Sequence, residues 1–240
     1  MKAMILAAGL GTRLKPWTDY HPKALAVVNG KSLLQRNIEY LQKFEINEVI
    51  VNVHHFANQI ITAINLSNGW GSKVIISDET QEVLETGGGL LKAAPLLKGE
   101  EPFALINADI LTHLDLHEMI NYHQQNTSLA TLATTNRQTS RYFLFDENNN
   151  LCGWRNVKTG AEKTGLKPLG GNEVQKAFSG IHIINPHIFS LVKQQGKFSM
   201  VEVYLNLMDE YLIKSFDHSE TAFIDVGKPE SIPDAEKLFL

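Results

Sequence analysis

The stretch that decides the fold is residues 2–25, KAMILAAGLGTRLKPWTDYHPKAL. An apolar run at residues 2–8 predicts a buried β-strand, and the turn that follows it contains Gly9 and Gly11. Ligands of parallel α/β sheets bind where the carboxyl ends of strands meet their loops, so this turn is the first candidate site. Leu14 stands where a dinucleotide-binding G-x-G-x-x-G would have its third glycine, and the Gly-Lys-Ser/Thr of a P-loop is absent. The turn therefore favours neither motif.

The first half of the chain alternates between strand-like and helix-like hydrophobic patterns. Strands are predicted at residues 2–8, 48–54, 73–78, 102–107 and 129–135. Helices are predicted at residues 32–44, 56–66, 86–97 and 115–125, the last with Asp115 as its N-cap. Repeated strand-helix-strand units form right-handed crossovers, so we expect an α/β fold with a Rossmann-like, mostly parallel sheet and helices on both faces.

The second half follows a different rhythm and predicts a small lid-like β region. Residues 141–157 predict a hairpin around the turn DENNN, residues 158–173 a polar loop, and residues 174–185 a strand. A helix near 201–213, a short strand ending in FIDVG and a last helix from about 229 complete the pattern. We expect one domain over residues 1–240, with residues 1–135 as one half and residues 136–240 as the other.

Composition narrows the possible partners and the compartment. The net charge is −4 and no block of Lys or Arg occurs, so neither nucleic acid nor an anionic membrane surface is an expected partner. The apolar run at the N-terminus is too short to span a membrane and has no typical cleavage site. The single Cys152 excludes an internal disulfide and suits a reducing compartment. We expect a cytoplasmic protein.

The glycine turn has the groups that bind a polyphosphate. Gly9 and Gly11 allow close backbone approach to an anion, Thr12 adds a hydroxyl, and Arg13 and Lys23 can flank the phosphates. The alternative is an ordinary tight turn with two solvated cations. The spacing through Lys23 favours a nucleoside triphosphate.

Two aspartates follow apolar strands and suggest a metal site. Asp109 ends the sequence LINAD, and Asp225 stands in FIDVG, each where the preceding residues run into the core. Mg²⁺ is commonly bound by one or two carboxylates with waters and substrate oxygens. Either aspartate alone could instead be a cap or a turn residue. Together with the glycine turn they predict Mg²⁺ as cofactor, and Asn107 is expected near the ribose or the metal.

A second glycine cluster occurs in LETGGG, residues 84–89. Glycines at a helix start cost stability relative to alanine, so some other requirement favours them. We interpret Gly87 and Gly88 as allowing the backbone to approach a base or ribose. The alternative is relief of crowding between the helix and the sheet.

These motifs resemble those of the sugar-phosphate nucleotidyltransferases, whose signature runs G-x-G-T-R-L-x-P-L-T and then P-K-x-L; Trp17 and Ala24 depart from it. The resemblance implies phosphate binding by Arg13 and Lys23, catalysis by these two with Asp109, and metal binding by Asp109 and Asp225. It further implies that the nucleotide is contacted by Ala8, Gly9, Gly11, Thr12, Gly87, Gly88 and Asn107. The sugar is expected to be contacted by Glu85, Ser179 and Gly180. Lys158, Lys163 and Lys167 of the polar loop are candidates for the sugar phosphate or are simply solvated.

In its LETGGG motif and its length, the chain most resembles the N-acetylmuramate 1-phosphate uridylyltransferases of cell-wall recycling. The resemblance implies that UTP and a sugar 1-phosphate give a nucleotide sugar and pyrophosphate. Alternatives within the class are a glucose 1-phosphate thymidylyltransferase or a mannose 1-phosphate guanylyltransferase. A non-catalytic nucleotide-sugar sensor is the alternative of another class, and the oligomeric state stays open.

Overall fold

Residues 1–166 and 170–240 are described by a computed structural model. Lys167, one of the three lysines singled out in the polar loop, lies outside the described residues. The strands are β1 Ala3–Leu6, β2 Val27–Val28, β3 Lys31–Ser32, β4 Glu48–Val53, β5 Lys73–Asp78, β6 Phe103–Asn107, β7 Ile110–Thr112, β8 Ala130–Thr135, β9 Arg141–Phe145, β10 Leu151–Asn156, β11 Ala161–Thr164, β12 Val174–Ile184, β13 Ile213–Asp217 and β14 Phe223–Asp225. The α-helices are α1 Leu33–Gln42, α2 Ala57–Leu66, α3 Glu85–Leu97, α4 Leu116–Gln125, α5 Ile188–Leu191, α6 Met200–Leu207 and α7 Ile232–Leu238.

One large sheet organises the chain. Its order is β11-β10-β9-β12-β6-β1-β4-β5, and β8 pairs with β12 and with β13. The strands β6, β1, β4 and β5 run parallel, as do β8 and β13, whereas β12 runs antiparallel between β6 and β8. Because β12 is antiparallel to both of its neighbours, β8 and β6 run in the same direction. The carboxyl ends of β1, β6 and β8 therefore lie at one edge of the sheet.

Helices cover both faces of this sheet, as the α/β pattern predicts. Alternate residues of β1 point to opposite faces, so Ile5 packs with α1, α2 and α4, and Met4 packs with α3, α5 and α6. Five predicted strands and four predicted helices of the first half are confirmed with small shifts at their ends. The Asp115 cap is also confirmed, since its carboxylate accepts hydrogen bonds from the His117 and Glu118 amides.

The second half agrees in outline and differs at two places. The hairpin is β9 and β10, but the polar loop contains β11, an exposed strand that pairs with β10. The helix near 201–213 ends at Leu207, and residues 213–217 form β13 beside β8. Hydrophobic patterns missed both strands because β11 has a wholly exposed, largely polar sequence and β13 follows directly on a helical pattern. None of the helices in the described ranges has the length and apolar character needed to cross a lipid bilayer.

Candidate active site

The turn after β1 is fixed by a buried asparagine from β4. The Oδ1 atom of Asn52 accepts hydrogen bonds from the amides of Ala7 and Ala8, at 2.7 and 3.3 Å. Gly11 has a left-handed φ of 62°, and a Cβ there would lie 2.9 Å from side-chain atoms of Thr18 and Lys23. Glycine at this position lets the turn close against both side chains.

A cleft of 540 Å³ opens beside this turn. Its walls come from the β1 turn, the end of β6, the start of α3, residues 197–199 and Gly227. Most of the sequence-predicted site residues lie in these walls: Ala8, Gly9, Gly11, Thr12, Arg13, Lys23, Glu85, Asn107 and Asp109. The cleft thus joins the glycine turn to the end of a neighbouring parallel strand, as expected for a ligand site of such a sheet.

Two carboxylates and two cations meet at one side of the cleft. Lys23 Nζ donates a hydrogen bond to Asp109 Oδ2. Arg13 Nη2 lies 3.7 Å from Asp225 Oδ2 and 4.0 Å from Asp109 Oδ2. The pairing of β14 with β7 and the hydrogen bond from the Val226 amide to the Asp109 carbonyl, 2.8 Å, bring these distant residues together.

This cluster has the properties of a cation site. Burial and the neighbouring Asp109 carboxylate raise the pKa of Asp225. The buried Oδ1 atom of Asp225 has no hydrogen-bond partner in residues 1–166 and 170–240. A divalent cation would stabilise both carboxylates and occupy that oxygen. No group of three or more Asp, Glu, His or Cys side chains in the described part of the chain is arranged as a metal site, so a Mg²⁺ bound here would depend on these two carboxylates, waters and substrate oxygens.

The triple glycine of α3 has a different role from the one expected. A Cβ at Gly87 would lie 2.4 Å from the Phe198 ring, and one at Gly88 would lie 2.1 Å from the Gly196 carbonyl. The amides of both glycines donate hydrogen bonds to the Phe198 carbonyl, at 2.9 and 3.2 Å. Gly87 and Gly88 do not line the cleft in the structure, since these contacts direct them toward residues 196–198. Crowding between protein segments therefore explains them better than approach to a base.

Ser179 and Gly180 also lie behind the cleft rather than in its wall. The hydroxyl of Ser179 is buried and hydrogen-bonded to His218 Nε2 at 2.7 Å, and burial lowers the pKa of His218 to about 4. Gly180 has a φ of 76°, and a Cβ there would lie 2.6 Å from Asn107 Nδ2. Gly180 thus leaves room for Asn107, which does face the cleft.

Sequence patterns missed a buried pair behind the β1 turn. Asn52 Nδ2 donates a hydrogen bond of 2.8 Å to Glu79 Oε1, and burial raises the pKa of Glu79. A Cβ at Gly89 would lie 2.6 Å from the same oxygen, which explains the third glycine of the cluster. The available signal in the sequence was that Asn52 is a polar residue inside the otherwise apolar run of β4.

The far wall of the cleft was also missed. The Met200 amide donates a hydrogen bond of 2.9 Å to Thr86 Oγ1, and Lys197 Nζ lies 3.5 Å from Glu85 Oε1. These contacts attach residues 197–200 to the start of α3. No local motif marks this segment, because its partners lie more than a hundred positions earlier.

A mostly parallel sheet with a glycine turn, a cleft at the strand ends and a carboxylate-cation cluster is the architecture of the nucleotide-binding α/β class of proteins. Residues 2–240 match the model of the nucleotidyl transferase family, and the chain belongs to that family. The predicted resemblance to sugar-phosphate nucleotidyltransferases is thereby confirmed.

Individual relatives and a solved structure agree with this assignment. The chain is 29% identical to the N-acetylmuramate alpha-1-phosphate uridylyltransferase of Neisseria meningitidis, over 99% of this chain and 98% of the relative. It is 42% identical to the enzyme of the same name from Caulobacter vibrioides over 109 residues, 45% of each protein. The crystal structure of HddC from Yersinia pseudotuberculosis complexed with GMP-PN has a TM-score of 0.77 and 26% identity, covering 100% of this chain and 99% of that chain.

Proposed function

We propose that the chain is a Mg²⁺-dependent uridylyltransferase that joins N-acetylmuramate 1-phosphate to UTP and releases pyrophosphate, in cell-wall sugar recycling. The observation that carries the nucleotidyl transfer is the cluster of Arg13, Lys23, Asp109 and Asp225 beside the cleft. The choice of sugar and base is supported by the end-to-end similarity to the Neisseria relative.

In the proposed reaction an oxygen of the sugar phosphate attacks the α-phosphorus of the triphosphate. A new phosphorus-oxygen bond forms there while the bond to the β-phosphate breaks, and pyrophosphate leaves with that electron pair. The nucleophile is already an anion, so this chemistry needs no strong general base. Catalysis then depends on positioning and on charge stabilisation.

Each residue of the cluster has a role in this scheme. Asp109 and Asp225 would hold Mg²⁺, which when bound stabilises negative charge on phosphate oxygens. Arg13, which is more than half exposed, would bind the β- and γ-phosphates and the departing pyrophosphate. Lys23 would lie between the two substrates near the α-phosphate. The nucleotide would occupy the half formed by residues 1–135, and the sugar phosphate the half formed by residues 136–240.

The test is pyrophosphate release by the purified protein with Mg²⁺. UTP, dTTP, GTP, CTP and ATP are combined with the 1-phosphates of N-acetylmuramate, N-acetylglucosamine, glucose and mannose. Asp109→Asn serves as the inactive variant, and Asp234→Asn, at an exposed aspartate of α7, as its matched control.

The grid separates the levels of the proposal. Release that is fastest with UTP and N-acetylmuramate 1-phosphate, and much slower with every other pair, supports the whole proposal. Release with another pair, such as dTTP with glucose 1-phosphate or GTP with mannose 1-phosphate, retains the transfer chemistry and overturns the substrate. Silence across the grid, with tight binding of a nucleotide sugar, would favour a sensor.

A further inference from the structure

We propose that Arg137 determines sugar specificity by binding a carboxylate on the sugar ring of the substrate. The inference rests on the proposed function and assigns to the chain's own residues the recognition of an acidic sugar 1-phosphate. N-Acetylmuramate differs from N-acetylglucosamine by a lactyl ether that adds one carboxylate, whereas glucose, mannose and N-acetylglucosamine have neutral rings.

Arg137 stands at the ligand-binding edge of the sheet. It follows β8 by two residues, and the carboxyl end of β8 lies at the same edge as the ends of β1 and β6. Its Nη2 atom donates a hydrogen bond of 2.8 Å to the Phe178 carbonyl of β12. Its guanidinium carbon lies 5.3 Å from the centroid of the Phe223 ring. These two contacts hold the guanidinium in place.

The strand β14 relates Arg137 to the proposed metal site. Phe223 and Asp225 lie two positions apart on this strand, so their side chains share a face and are about 6.6 Å apart along it. The guanidinium over Phe223 therefore lies beside the strand that carries Asp225, close enough for the two charges to interact. Arg13 and Lys23 already face the phosphate position. Arg137 is placed to meet ring substituents instead.

The charge of Arg137 forms no ion pair among the described residues, although the Asp225 carboxylate is near enough to interact with it. No Asp or Glu oxygen in residues 1–166 and 170–240 lies within 4.0 Å of its guanidinium, whereas Lys176 on the neighbouring β12 pairs with Asp217 at 2.7 Å. Arg137 is exposed, and a guanidinium has five N–H donors, of which the Phe178 contact uses one. Its planar fork matches a carboxylate with two parallel hydrogen bonds.

The test compares two substrates that differ only in the lactyl group. Steady-state kinetics are measured with UTP and either N-acetylmuramate 1-phosphate or N-acetylglucosamine 1-phosphate, for the wild type, Arg137→Gln and Arg137→Lys. Arg141→Gln is the matched control, since Arg141 is a nearby exposed arginine at the start of β9. Thermal melts of each variant report on folding.

Arg137→Gln is expected to lower kcat/KM for N-acetylmuramate 1-phosphate by about 10- to 150-fold, the value of a charge-assisted hydrogen bond. The same variant should change kcat/KM for N-acetylglucosamine 1-phosphate by less than about twofold, because that sugar has no carboxylate to lose. Arg137→Lys should fall between wild type and Gln, since it retains the charge and loses the fork.

Equal losses on both sugars would overturn the inference, because Arg137 would then serve the phosphate or Asp225. An unchanged kcat/KM for N-acetylmuramate 1-phosphate would overturn it as well. A wild-type protein that uses other substrate pairs and rejects N-acetylmuramate 1-phosphate would overturn the proposed function and this inference together. The activity of the wild type on N-acetylmuramate 1-phosphate separates the two failures. If the wild type uses this substrate and Arg137→Gln shows no selective loss, only the inference about Arg137 fails.

Discussion

Replacing Asn52 with alanine should destabilise the protein, because this side chain fixes the turn after β1. The change leaves the buried Ala7 amide without its acceptor at 2.7 Å, which costs about 1–3 kcal/mol. Loss of the hydrogen bond to Glu79 adds about 1 kcal/mol. The Ala8 amide is held at 3.3 Å, so its hydrogen bond is the weaker of the two and its loss adds little. The expected loss is about 2–4 kcal/mol of the free energy of unfolding.

Urea unfolding followed by tryptophan fluorescence measures this loss, since the chain has three tryptophans. Asn126→Ala is the matched control, because it removes one hydrogen bond of 2.9 Å at the end of α4 and should cost less than about 1 kcal/mol. Asn52→Asp separates the two contacts: it retains an acceptor for the Ala7 amide but places a second carboxyl group against Glu79. Its stability deficit should therefore grow as the pH rises. A loss for Asn52→Ala no larger than that of the control would refute the reasoning.

Three further predictions concern the charged residues around the cleft. Asp109→Asn and Asp225→Asn should each lower pyrophosphate release by more than about 100-fold while the circular-dichroism melt stays cooperative; a wild-type rate in either would contradict the metal assignment. Arg13→Ala should lower kcat/KM for the triphosphate by about 10- to 100-fold, and unchanged kinetics would mean that Arg13 is merely solvated. Burial raises the pKa of Glu79 in the folded protein. The folded state is therefore favoured while Glu79 is protonated. This contribution to the free energy of unfolding is lost as the pH rises from about 4.3, the unfolded pKa, through the folded pKa. Glu79→Gln should thus be the more stable protein above the folded pKa and lose that advantage in acid, and urea unfolding at pH 4 to 8 would contradict this if the difference were constant.

The sequence determined the parallel part of the fold because its signals are local. Each strand of the first half is an apolar run, and each helix has a periodic apolar face such as that of Leu34, Ile38 and Leu41 in α1. The strand β11 carries no such signal, since its four residues are exposed and its pairing depends on the backbone of β10. Local patterns therefore predict elements that bury side chains better than elements defined by edge pairing.

The candidate site was predicted to the extent that its residues lie in motifs. Arg13, Lys23 and Asp109 follow strands whose carboxyl ends meet at one edge, so topology alone brings them near each other. The pairing of Asn52 with Glu79 depends on the register of β4 and β5, which no motif records. Arg137 is likewise defined by contacts with Phe178 and Phe223 from two other strands.

The glycines of LETGGG show why a correct motif can carry an incorrect local explanation. A helix start without side chains can admit a ligand or another part of the protein, and both requirements select the same residue. Residues 196–198, more than a hundred positions later, show which requirement applies here. They contact Gly87 and Gly88 and accept the hydrogen bonds of their amides. Because the same segment continues into Lys197 and Ser199 of the cleft wall, the glycines shape the site by allowing that wall to approach α3. The glycines therefore affect a ligand only through the position of this wall. The side chain of an alanine at Gly88 would displace residue 196 and with it the wall, without contacting a substrate.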